Sequence, residues 1–188
     1  MTPILKVLTE YCAVYVDDVQ LQDLAVANPP LYARRMWQYL KPAISLFTLP
    51  MEMQDYLVGS QDDPKLIEPK YASAQYVTDT EYDADFTVQL GEEYEGYEVY
   101  SCKQKITQSN GNVYYAPVTA SYDEQTGTIS VTVPEGQTVA AGTVYDFDFY
   151  TDGYFTNNLS GVVLNILGMC FQVTWQDRFN TDWLSMVS

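Results

Sequence analysis

The chain has 188 residues, no histidine, and 25 acidic against nine basic side chains, a formal charge of −16 at pH 7. Without histidine there is no Ser-His-Asp triad and no His-containing zinc site. A field this negative repels phosphate backbones and anionic membranes, so direct nucleic-acid binding and membrane partners are not expected.

The length suits one compact unit or two small ones, large enough to bury a core without disulfide staples. Cys12, Cys102 and Cys170 are odd in number and far apart, and they read as reduced, buried thiols. The start, MTPILKVLTE, has no long apolar run and no cleavage-site pattern, so no signal peptide is expected.

Residues 3–16 predict a helix. Thr2 suits the cap, Pro3 the first turn, and Ile4, Val7, Leu8, Tyr11, Cys12 and Tyr15 form one apolar stripe. A short second helix is predicted over 19–27, with Leu21, Leu24 and Ala25 inward. Asn28-Pro29-Pro30 is a boundary, and Asn28 can cap a helix over 31–47. The apolar side of that helix is Leu31, Met36, Tyr39, Leu40, Ala43, Ile44 and Phe47. Pro42 falls inside it, which predicts a kink or break near Leu40-Lys41. Residues 49–70 carry three prolines and a glycine and read as an irregular connection.

From about residue 74 the pattern changes to short strands, predicted over 84–90, 97–106, 113–120, 128–133 and 143–150. In the last of these, Tyr145, Phe147 and Phe149 share one face, and Val144, Asp146, Asp148 and Tyr150 the other. Asn110-Gly111, the turn 123–127 and Pro134-Glu-Gly136 are hairpin signals. The module is therefore an antiparallel β-sandwich or barrel-like body. It is also where the charge lies: residues 71–155 hold 14 acids and two lysines, a net −12, against −4 elsewhere. That charge serves solubility, presents a face to a basic partner, or repels DNA.

The helical pattern resumes after residue 153, with the strongest helix at 159–179 and Asn157 or Asn158 as its cap. It is apolar on nearly every side but short for a bilayer, and Asn165 and Gln172 interrupt it. A helix apolar all round must be covered all round. Neighbouring subunits are the natural cover, so a homo-oligomer is expected. Val163, Leu167, Met169, Phe171, Trp175 and Trp183 are the candidate interface residues. Gly161 and Gly168 share a face that permits close packing. The fold class is thus α+β: a small helical core of N-terminal helices plus the long C-terminal helix (1–70 and 153–188), with the β-module (71–152) inserted.

Asp79, Glu81, Asp83 and Asp85 alternate. In an extended strand they would share a face, forming either a hard-cation site or a solvated edge that deters strand pairing. Asp146 and Asp148 form a similar pair. Twelve of the 17 tyrosines lie between Tyr71 and Tyr154, as strand packing or as a carbohydrate- or protein-contact face. No phosphate loop, nucleophile elbow or metal-ligand spacing is present. No catalytic residue, metal or cofactor is expected.

Two stretches carry a family resemblance. LYARRMWQYLKPAISLF (31–47) looks like a "yLkpAi..F" helix, and GYFTNNLS (153–160) runs into Ile166-Leu-Gly-Met169 and Trp175, like a "G-F…(D/N)-L…iLa..M…W" pattern. Together, covering about a third of the chain, they resemble the head–tail connector proteins of tailed bacteriophages, the adaptor or neck subunits that dock under the portal. The resemblance implies a structural virion protein, assembled in the host cytoplasm as a homo-oligomeric ring, commonly of twelve copies. It implies the portal and neighbouring neck or tail proteins as partners, with no catalysis and no cofactor. The β-insertion departs from the smallest adaptors, so its role does not carry over. A tail terminator, tube or baseplate component, or a carbohydrate- or protein-binding β-module, remain the other readings.

Overall fold

The computed structural model describes residues 1–48, 51–89, 91–94, 96–108, 110–123 and 126–187, less the side chains of Glu92 and residues 178–187. The fold is mixed α+β and divides into two compact units, Met1–Pro69 with Asp152–Ser188, and Lys70–Thr151.

The first unit is helical and is tied together by a small sheet. Strands β1 (Thr2–Pro3), β10 (Tyr154–Phe155) and β2 (Leu66–Ile67) pair antiparallel in that order. Three segments remote in sequence are thereby joined. Thr2 does not cap the first helix as expected. Its hydroxyl donates to the Asn157 carbonyl and accepts the Leu159 N–H. Helix α1 (residues 4–15) is begun instead by the returning chain: Gly153 O accepts the Ile4 N–H at 2.7 Å, and the Asp152 carboxylate accepts that of Leu5. The helix starts in α geometry, widens to a π turn over Val7–Cys12 and tightens to 3₁₀ over Ala13–Tyr15. Ile4, Val7, Leu8 and Cys12 are fully buried.

Asp18 caps α2 (Val19–Ala27) through the Leu21 N–H, and Asn28 caps α3 (Pro29–Phe47) through that of Leu31. Both prolines sit in the first turn of α3, where no N–H is needed. The helix does not break at Pro42; it runs unbroken for 19 residues. A missing N–H removes one rung, whereas Tyr32, Met36, Leu40, Ala43 and Ile44 bury a continuous face on both sides of it. The stretch expected to be irregular contains a further helix, α4 (Met51–Leu57), anchored by the buried Leu57. Helix α5 (Gly161–Val187) is capped by Ser160, which accepts the Val163 N–H; Asn157 instead donates its amide to the Tyr56 carbonyl.

The core of this unit is formed by α1, α3 and α5, with Phe155 and Leu159. Trp175 stacks on Phe171 at 6.3 Å, and Tyr39 meets both rings edge-on. Trp175 Nε1 donates to Asp17. One polar atom in this core is unsatisfied: the Tyr32 hydroxyl is buried with no hydrogen-bond partner among the described residues. An orphaned buried hydroxyl costs about 1–3 kcal/mol. Tyr32→Phe should therefore leave thermal stability unchanged or raise it; a clear fall in Tm would show that the hydroxyl is bound.

The second unit is a sandwich of two antiparallel sheets. One has the order β3-β9-β5-β6: β3 (Lys70–Val77), β9 (Val144–Thr151), β5 (Glu98–Thr107) and β6 (Val113–Pro117). The other is β4-β8-β7: β4 (Phe86–Gln89), β8 (Thr128–Val131) and β7 (Ala120–Asp123). Phe86, Val88, Ile129, Val131, Tyr145, Phe147 and Phe149 fill the space between them. No barrel closes; the sheets stay separate, so of the two forms expected the sandwich is the one that forms. The run 113–120 is two strands in different sheets. Pro117 lacks an N–H, so it ends β6, and the chain then crosses to the other sheet, with the Val118 N–H bonded to Cys102 O. Gly111 and Gly127 take positive φ, +84° and +65°, at the tips of the β5–β6 and β7–β8 hairpins.

Candidate functional site

Helix α5 has two unlike faces. Leu164, Leu167, Gly168, Phe171 and Trp175 recur at three- and four-residue spacing and are buried in the core of their own unit. This corrects the expected interface: Leu167, Phe171 and Trp175 are intrachain core, because α1 and α3 supply the cover that was assigned to other subunits. Of the remaining candidates, Met169 is 50% exposed, Val163 is half-buried, and the Trp183 side chain lies outside the described residues.

The opposite face is the informative one. Val162 (69% exposed), Ile166, Met169 and Val173 (51%) follow one another at steps of four, three and four residues, which aligns them along one stripe. Val162 and Val173 were missed because nothing in an evenly apolar helix says which side its neighbours take. Gly168 was the available signal. A Cβ there would lie 2.8 Å from Tyr11 O and 2.9 Å from the Tyr15 ring, so it marks the side packed on α1. Gly161 has no atom within 4 Å of its would-be Cβ and makes no such approach. Residues 153–176 contain no charged side chain, the longest such run here, in a chain of net −16.

The alternating acids are not a strand. Residues 78–85 form an irregular segment whose one β-bridge among the described residues joins Tyr82 to Val139, with Thr78 bonded to the 140–143 turn at its start. Asp79 accepts the Tyr82 hydroxyl, and Asp85 accepts the Val133 N–H at 2.9 Å. Among the described residues no group of three His, Cys, Asp or Glu side chains is placed to hold a metal ion.

Asp146 and Asp148 do share the outer face of the four-stranded sheet. Their neighbours on β3 hold them: Ser73 donates to Asp148 at 2.7 Å and Gln75 to Asp146 at 2.9 Å. Lys103 of β5 stands 3.8 Å from Asp148. A bulge between Val99 and Ser101 turns Tyr100 onto the same face, where its ring meets those of Tyr71 and Tyr150.

The thiols offer no ready nucleophile. Burial pushes Cys12 and Cys170 upward, and Cys102 is pushed up to about 12 by burial and then by the Asp146 charge. All three stay protonated near neutral pH. Among the described residues no helix is long and apolar enough to cross a membrane.

In comparisons with known proteins, no family model matches this chain and no curated protein is detectably similar to it.

Proposed function

We propose that this chain is a structural subunit of a tailed-phage virion, a head–tail connector that assembles as a ring on its portal. The observation that carries the reading is the outward stripe of α5. Val162, Met169 and Val173 stand in solvent over about three turns, with Ile166 half-buried between them, on the longest uncharged stretch of a strongly acidic chain. Copies of net charge −16 repel one another wherever their acids face. A neutral apolar stripe is where two copies meet without that cost and bury area besides. The two resembling stretches support the same reading from another side. Residues 31–47 lie within α3, residues 153–160 lead into α5, and the two helices pack together as one core. No catalytic residue, cofactor or metal is part of this proposal.

Met169→Asp combined with Val173→Asp tests it. Both positions are solvent-exposed in the single subunit, so the variant should fold, with a wild-type circular dichroism spectrum and melting within a few degrees. The wild type should co-sediment with its portal as a ring of many copies, and the variant should remain free. A folded variant that assembles normally would remove the argument from α5.

A further inference from the structure

We propose that the outer face of the four-stranded sheet binds a neutral glycan. The face carries an open depression of about 560 Å³, lined by Ser73, Gln75, Lys103, Tyr115, Asp146 and Asp148. Its chemistry is mixed. Each sugar hydroxyl donates one hydrogen bond and accepts up to two, so a sugar site must offer donors and acceptors side by side. Here they alternate across three strands. Asp146 accepts from Gln75 through one oxygen, and among the described residues its other oxygen has no hydrogen bond. The Lys103 ammonium stands 3.8 Å from Asp148, an ion pair beyond hydrogen-bond distance, so among the described residues its donors face the depression and can serve a ligand. Tyr115 is 50% exposed on the edge strand β6, a wall on which the C–H face of a pyranose can stack.

The charge selects among ligands. Two carboxylates around one ammonium leave the depression with a net negative charge, which disfavours sialic or uronic acids. A basic peptide is disfavoured locally, because the Lys103 ammonium stands in the depression beside Asp148 and repels a second cation there. A neutral polyhydroxyl ligand meets neither objection. The face is also long. Successive outward residues of a strand are about 7 Å apart, so the row from Asp146 through Asp148 to Tyr150 spans roughly 14 Å and ends on the Tyr71, Tyr100 and Tyr150 rings. That length fits an oligosaccharide better than a single sugar.

The experiment is amide chemical-shift mapping of the intact chain against glucose, galactose, N-acetylglucosamine and their β-linked tetramers at millimolar concentration. Saturable shifts are expected on β3, β5, β6 and β9, larger for a tetramer than for its monomer. Tyr115→Ala and Asp146→Asn should each weaken binding by about tenfold or more. Asp146→Asn retains an oxygen for Gln75, so the sheet should be kept; if Tyr115→Ala disturbs the edge strand, the wild-type map and Asp146→Asn decide. Absence of saturable shifts with every sugar, shifts confined to other surfaces, or equal affinity in the folded variants would overturn the proposal. So would tighter saturation of the same residues by an arginine-rich peptide, which would make this a protein-docking face.

Discussion

Phe171→Asp is expected to unfold the helical unit, not to release a folded single subunit. Phe171 has no exposed surface, stacks on Trp175 and meets Tyr39 edge-on. Truncation of such a ring alone costs about 3–5 kcal/mol. A carboxylate at the same place adds the penalty of burying a charge in an apolar, aromatic site, several kcal/mol more. The stability of a domain is only about 5–15 kcal/mol in all. Far-UV circular dichroism of Phe171→Asp should therefore show lost helix and no cooperative melt, whereas Phe171→Ala should fold with a much lower Tm. A Phe171→Asp protein with wild-type melting would place this ring on the surface and overturn the core assignment. The comparison with Met169→Asp and Val173→Asp matters here: the residues share one helix, and only the outward pair should spare the fold.

That contrast shows what the sequence could not settle about α5. An amphipathic helix declares its inner face, because polar residues occupy the other one. In α5 Val162, Ile166, Met169 and Val173 are as apolar as Leu164, Leu167 and Phe171, so periodicity has nothing to distinguish. Strand β9 is the opposite case. Its acids and its aromatic rings alternate strictly, and the structure buries Tyr145, Phe147 and Phe149 while Asp146 and Asp148 stay on the outer face.

The small sheet of β1, β10 and β2 was not legible for a different reason. Strands of two residues carry no pattern, and their partners are remote in sequence; only the fold brings Thr2 opposite Phe155 and Phe155 opposite Leu66. The acids at 79, 81, 83 and 85 misled in the other direction. Their alternation looked like a strand, but the segment is held by scattered bonds instead of a ladder. The Asp85 carboxylate accepts the Val133 N–H, the Thr78 hydroxyl and backbone bond the 140–143 turn, and Tyr82 pairs with Val139. Of the outer sheet face, the carboxylate pair was readable from spacing. Ser73, Gln75 and Tyr115 were not, since they reach it from strands whose register no local pattern specifies.

Gly168→Ala should destabilise the helical unit, although the same change in an exposed helix interior favours the helix by up to about 1 kcal/mol. The new Cβ would meet Tyr11 O at 2.8 Å and the Tyr15 ring at 2.9 Å. The first of these is backbone within the π turn of α1, whose neighbours Leu8 and Cys12 are fully buried, so it cannot move aside without shifting the core. Overpacking of this kind costs about 1–3 kcal/mol, a fall in Tm on the order of 5–15 °C for a unit of this size. Gly168→Val adds two methyl groups at the same contact and should do more. Gly161→Ala is the internal control: it lies in the first turn of the same helix with no atom within 4 Å of the added carbon, and should leave Tm unchanged or slightly raised. Calorimetry of the two alanine variants reads the difference directly. If Gly168→Ala melts with or above Gly161→Ala, then α1 and α5 do not touch through this glycine, and the assignment of the inner and outer faces of α5 fails with it.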